Sequence, residues 1–168
     1  IIPTLHSLLA QDQVKIDGFL APGHVSMVIG SSPYQGIVDK YHKPFVITGF
    51  EPLDILQAIV MLVRQFVDGR CEIENQYKRI VDNHGNLLAQ HAMQEVFQLK
   101  ESSEWRGLGE IEQSGVELTE AYRQFDAEIY FQSQAQQVAD DPNSRCGDVL
   151  TGRCKPSDCP LFGINCNP

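Results

Sequence analysis

Cysteine carries the clearest chemistry in this sequence. Four of the five cysteines, Cys146, Cys154, Cys159 and Cys166, lie close together with the spacing C-x7-C-x4-C-x6-C. Gly147, Gly152, Pro156, Pro160 and Gly163 run between them, which predicts a tight irregular loop rather than a helix or strand. Clustered thiols have two common causes, a disulfide framework or a soft-metal site, because thiolates suit zinc and iron–sulfur clusters. The rest of the chain holds only Cys71, which argues against a secreted protein built on disulfides and for a metal or cluster loop. Zinc ligands commonly come as closer pairs, and ferredoxin-type ligands are also closer than these gaps. Spacing alone therefore leaves iron–sulfur, zinc and disulfide open, in that order.

Two further positions offer ionisable groups. His24 follows Ala21-Pro22-Gly23, a predicted loop after a strand, where a histidine can donate or carry a proton near neutral pH. The plainer reading is a histidine that caps a helix or bonds to backbone. Glu51 and Asp54 stand at a predicted helix start, either as a carboxylate pair for acid–base work or, more simply, as a complement to the helix dipole. Cys71 has no base near it in sequence and reads as a packed thiol. His6, His42, His84 and His91 read as surface or helix-face residues, with no carboxylate at metal-ligand spacing. No Walker loop, dinucleotide fingerprint or Gly-x-Ser-x-Gly elbow is present.

These groups need a scaffold, and the pattern predicts an α/β fold with a mainly parallel sheet flanked by helices. A helix is expected over Thr4–Gln11, with Pro3 in its first turn, then a strand over Val14–Leu20. Ser32 is a predicted N-cap for a helix reaching Tyr41. Phe45-Val46-Ile47-Thr48 is a continuous apolar run, as a buried parallel strand requires, and Pro52 opens a long buried helix to about Val67. A short strand is expected within Cys71–Tyr77 and an amphipathic helix from Asn86 to about Lys100. A strand near Trp105–Leu108 and a helix over Leu118–Gln124 would complete the layer. Gln132, Gln134, Gln136 and Gln137 mark a polar helix or linker. The expected division is an α/β domain over 1–126, followed over 127–168 by that linker and a cysteine-rich segment. Ligands of open α/β sheets lie beyond the carboxyl ends of the strands, which points to Gly18–His24 and Ile47–Pro52.

Composition narrows the class. At 42% hydrophobic and 21% charged, the chain has an ordinary globular composition. Thirteen basic residues against 22 acidic give a net charge of −9, which argues against a nucleic-acid partner. The apolar stretch around Ile55–Val67 is broken by Gln57, Arg64 and Gln65, so no membrane span is expected and a cytoplasmic, reducing setting is the default. The chain opens on Ile1-Ile2-Pro3 and closes on Asn167-Pro168, which reads as a piece of a longer protein, with a cluster ligand expected beyond it.

Several segments, taken in order, carry a resemblance. Val14-Lys15-Ile16-Asp17-Gly18-Phe19-Leu20-Ala21-Pro22-Gly23-His24-Val25 and Ile47-Thr48-Gly49-Phe50-Glu51-Pro52-Leu53-Asp54-Ile55-Leu56 come first. Glu74-Asn75-Gln76-Tyr77, Trp105-Arg106-Gly107-Leu108-Gly109, Ser114-Gly115 and Phe125-Asp126-Ala127 follow. Arg145-Cys146-Gly147-Asp148-Val149-Leu150 and Cys159-Pro160-Leu161-Phe162-Gly163 complete the set. Together they resemble the HypD family of hydrogenase maturation proteins, and the likeness covers nearly the whole chain.

The resemblance implies a part in building the iron centre of NiFe-hydrogenases. Its implied partners are HypC and HypE, the latter supplying cyanide, and indirectly the hydrogenase large subunit. The implied cargo is an iron bearing two cyanides and one carbon monoxide, Fe(CN)2CO, held mainly by an N-terminal half that has no counterpart here. It also implies a 4Fe-4S cluster that relays electrons to a cysteine pair in that half. Cys146, Cys159 and Cys166 match three of the four cluster ligands, and Cys154 is an extra thiol or a substitute ligand. His24 resembles the family's histidine facing the cleft between domains. Two other readings compete: a zinc-stabilised α/β interaction module with no redox role, and an enzyme using Glu51 or His24 for acid–base catalysis.

Overall fold

The computed structural model describes residues 1–131 and 141–167. Helix α1 (Ile2–Leu9) opens the chain with Pro3 in its first turn, where the missing N–H costs nothing. Strand β1 (Phe19–Pro22) leads directly into α2 (Gly23–Ile29). A 3-10 turn at Ser32–Tyr34 runs into α3 (Gln35–Tyr41), which ends at His42 in the left-handed conformation. Strand β2 (Phe45–Thr48) follows, then the 17-residue α4 (Pro52–Asp68), closed by Gly69 at φ 64°. Strand β3 (Ile73–Asn75) completes a three-stranded parallel sheet of order β1-β2-β3.

All four residues of central β2 are buried, as an apolar strand covered on both faces must be. Phe19 and Phe45, partners in the β1–β2 register, stack with ring centroids 4.7 Å apart. On one face Ala21, Tyr34, Ile37, Val38, Phe45, Ile47 and Val81 form the core, with Ile2, Leu5 and Leu9 of α1 packed against it. The fully buried Tyr34 keeps its hydroxyl satisfied on Ser26 Oγ at 3.0 Å, while Ser26 donates to the Pro22 carbonyl at 2.9 Å. Burial pushes the Tyr34 phenol up from its ordinary value.

Helix α4 covers the other face, but it is not the buried helix that its composition suggests. Ala58 and Gln65 are fully buried, whereas Leu53, Leu56, Val63 and Val67 are each more than half exposed. A sheet packs against one side of a helix, and the outer line of α4 stays exposed. Gln65 serves as a clip: its amide donates to the Phe45 carbonyl at 3.4 Å and accepts from the Glu72 N–H at 3.0 Å, joining β2 to the lead into β3.

Several boundaries differ from the sequence expectation. Strand β1 starts at Phe19 rather than Val14, because β2 supplies partners only from Phe45 onward. Residues upstream are tied elsewhere, the Lys15 N–H donating to the Thr151 carbonyl at 2.8 Å. Ser32 lies inside its turn rather than capping a helix, its hydroxyl donating to the Asn83 carbonyl. Asn86 does cap α5 (Leu87–Val96), accepting from the Ala89 N–H at 3.0 Å, but the helix stops at Val96 instead of reaching Lys100. Its next residues form β4 (Phe97–Leu99), drawn out of the helix by pairing with a strand further along the chain.

The later segments do not extend the parallel sheet. Strands β5 (Ser102–Trp105) and β6 (Gly109–Glu112) make an antiparallel hairpin, and β7 (Val116–Leu118) pairs with β4. The expected helix over Leu118–Gln124 is a 3-10 turn at Glu120–Phe125, followed by the short α6 (Ala127–Tyr130). The glutamine-rich stretch, Gln132 to Gln137, lies outside the described residues. Helix α7 (Cys146–Leu150) and a 3-10 turn at Pro156–Asp158 organise the cysteine segment. Among the described residues no helix is long and apolar enough to cross a membrane.

Candidate metal centre

The cysteine segment is more regular than an irregular loop. Cys146 is the first residue of α7, and its sulfur accepts from Ser144 Oγ at 3.3 Å. Asp148, two residues on, holds both flanking arginines: Arg145 Nε at 3.1 Å and Arg153 Nη2 at 3.1 Å. Thr151 is buried, its hydroxyl donating to the Gly147 carbonyl at 2.7 Å and accepting from Arg153 Nε at 2.9 Å. Asp158 closes the next turn by accepting from the Lys155 N–H at 2.9 Å. The Phe162 N–H then returns to the Cys159 carbonyl at 3.0 Å and the Cys166 N–H to the Leu161 carbonyl at 2.9 Å. Gly163, at φ 74°, makes the reversal that brings Cys166 back beside Phe162.

These turns place Cys146, Cys159 and Cys166 on the wall of one cavity of about 360 Å³. Val149, Leu150, Pro156 and Phe162 supply the apolar remainder, and Arg106 reaches the wall from the β5–β6 hairpin. Cys154 does not line this cavity. All five cysteines are free thiols. Backbone N–H groups hold the Cys159 thiol below its ordinary pKa, that of Arg145 contributing most and those of Leu161 and Phe162 adding to it. A thiolate supported by amides is the form that binds soft metals.

Among the described residues no three His, Cys, Asp or Glu side chains gather closely enough to hold a single metal ion. Thiols on one cavity wall are the donor type that soft metals and iron–sulfur clusters take.

The carboxyl edge of the parallel sheet forms a second constellation. His24 is the second residue of α2 rather than a loop residue; it is exposed, and its ring lies 4.5 Å from that of Phe50. Gly23 and Gly49 let the ends of β1 and β2 close over Tyr77: a Cβ on Gly23 would stand 2.7 Å from one ring carbon, and one on Gly49 would stand 2.9 Å from another. Glu51 and Asp54 do not work as a pair here. The exposed Glu51 precedes α4, and its side chain makes no capping bond. Asp54 is buried and takes Arg79 Nη1 and Nη2 at 3.0 and 2.6 Å and Gln76 Nε2 at 2.8 Å. The Arg79 bonds, then that from Gln76, hold its carboxyl below the usual range. Arg79 also lies 4.3 Å from the Tyr77 ring centroid.

Other candidates are placed without a site. Cys71 is exposed, not packed, because it sits in the coil ahead of edge strand β3. His6 meets Tyr41 at 3.3 Å, His42 ends α3, and His84 and His91 are exposed. Arg79 and Arg106 were not expected as site residues, although Arg106 falls within a segment that carries the family likeness.

Over residues 1–168 the sequence matches the family described as HypD, hydrogenase formation hypA family. It is 59% identical over 168 residues to the hydrogenase maturation factor HypD of Escherichia coli (strain K12), covering 100% of this chain and 45% of that protein. The HypD of Rhodobacter capsulatus is 46% identical over 168 residues, with 98% and 45% covered. The hydrogenase expression/formation protein HupD of Azotobacter chroococcum mcd 1 is 43% identical over 169 residues, with 98% and 45% covered. The chain spans less than half the length of these curated relatives. It belongs to the HypD family of hydrogenase maturation factors.

Proposed function

We propose that this chain is the cluster-bearing part of a scaffold on which the Fe(CN)2CO centre of NiFe-hydrogenase is assembled. Cys146, Cys159 and Cys166 hold a 4Fe-4S cluster in their shared cavity, with a fourth ligand supplied from outside the described residues. One observation carries this reading: these three thiols line a single apolar cavity and Cys154 does not. When bound, the cluster supplies one-electron chemistry.

The chain's own residues prepare the site. The amides of Arg145, Leu161 and Phe162 favour the thiolate form of Cys159, and hydrogen bonds to sulfur are among the means by which a protein sets a cluster's potential. Val149, Leu150 and Phe162 line the cavity beside the three thiols. The assembling iron is cargo, carried with HypC and supplied with cyanide through HypE. At the sheet's carboxyl edge the exposed His24, beside Phe50, donates a hydrogen bond toward that cargo or its thiolate ligand.

Serine substitution of each cysteine in the full-length chain tests the ligand set. Cys146→Ser, Cys159→Ser and Cys166→Ser should each lower iron and sulfide per chain, with Cys154→Ser unchanged. Equal losses in all four, or a loss only in Cys154→Ser, would overturn the assignment.

A further inference from the structure

Among the described residues, the cavity's only charged wall residue comes from outside the cysteine segment. Arg106 sits at the tip of the β5–β6 hairpin, whose last register pair is Trp105 with Gly109. The tip is a tight turn: the Leu108 N–H donates to the Trp105 carbonyl at 2.9 Å, and Gly107 takes φ 75°, a value such turns reserve for glycine. Its root is pinned by Trp105 Nε1 donating to Ser114 Oγ at 2.8 Å, while Ser114 donates to the Ile111 carbonyl at 2.7 Å. Gly107 then lies flat on the start of α7, where a Cβ would come within 2.8 Å of the Gly147 nitrogen and 3.2 Å of Cys146 Cβ. The hairpin is thereby seated against the backbone of a candidate ligand, with Arg106 on the cavity wall.

The charges nearby single this arginine out. Arg145 and Arg153 share the Asp148 carboxylate and do not line the cavity. Among the described residues Arg106 has no carboxylate partner within salt-bridge distance. A guanidinium cannot lose its proton, so the cation is present at every working pH.

We propose that Arg106 is the counter-charge of the cysteine cavity and raises the reduction potential of the cluster held there. The inference rests on the cluster reading above. Thiolates and each added electron make the site more negative, and a fixed cation at the wall stabilises the reduced form more than the oxidised one. Because the arginine is exposed, salt screens part of the effect.

The test is redox titration of the anaerobically reconstituted full-length protein, followed by the electron-spin signal of the reduced cluster, in wild type, Arg106→Gln and Arg106→Lys. Iron and sulfide are counted first. With equal loading, Arg106→Gln should lower the reduced-to-oxidised ratio at the wild-type midpoint by about tenfold, which for one electron is a shift of about 59 mV. Arg106→Lys should keep most of the wild-type value. Full loading with an unchanged midpoint in Arg106→Gln would overturn this inference alone. Loss of iron in Arg106→Gln but not in wild type would also overturn it, making Arg106 a binding residue. Wild-type protein without iron and sulfide would overturn the cluster reading itself.

Discussion

Gly107 and Gly147 meet backbone to backbone, so that a Cβ on Gly107 would stand 2.8 Å from the Gly147 nitrogen. This contact seats the β5–β6 hairpin on the helix that begins with Cys146 and makes its tip part of the cavity wall. Gly109 supplies a control, with φ 76° but open space where its Cβ would lie. Gly107→Ala and Gly109→Ala should each lose about 1–2 kcal/mol from positive φ. Only Gly107→Ala should also lower iron loading of the full-length protein. Equal loading in both would show that hairpin seating does not matter to the site.

The Asp54–Arg79 pair predicts a pH dependence with a defined sign. Bonds from Arg79 hold the folded carboxyl below its unfolded value of 3.8. The stabilisation is therefore fully present above that value and is lost as pH falls through the lower, folded one. Thermal melts from neutral pH down through the carboxylate range should show wild type losing stability faster than Asp54→Asn. Parallel curves would mean that the pair carries no such linkage.

Burial separates two apolar residues that composition would treat alike. Ile47 is fully buried in β2, whereas Val67 on α4 is 81% exposed. Ile47→Ala should cost about 2–5 kcal/mol and Val67→Ala no more than about 0.5 kcal/mol in denaturant unfolding. A large cost at Val67 would mean that the outer line of α4 is covered in the full-length protein.

His24→Ala should reduce hydrogenase maturation by roughly tenfold, the scale of one lost hydrogen bond. Iron and sulfide at the cysteine cavity should be unchanged, because His24 does not line it. Normal maturation in cells carrying the variant would remove this role.

The parallel sheet was legible because its signals are local. Three consecutive apolar residues from Phe45, followed by Thr48, mark a strand buried on both faces, and Pro52 and Gly69 bracket α4 with a first-turn proline and a left-handed cap. The region after Asn86 was not, because its structure is decided by partners distant in sequence. Phe97-Gln98-Leu99 continues the amphipathic pattern of α5 and leaves the helix only because Val116–Leu118 is available to pair with it. Family likeness alone points to Cys146, Cys159 and Cys166 as expected ligands, since gaps of 7, 4 and 6 fit no standard motif. The cavity they share depends on the turn at Gly163 and the chain reversal that follows it. Arg106 was hidden for a different reason: nothing in the sequence around a hairpin tip tells which surface the tip will rest on.

An iron–sulfur cluster in the cavity of Cys146, Cys159 and Cys166 can be counted atom by atom. The most direct test is anaerobic reconstitution of the full-length protein, with iron, zinc and acid-labile sulfide counted per chain. About four iron and four sulfide are expected, and both should be lost when Cys159 is replaced by serine. One tightly held zinc and no sulfide would contradict it.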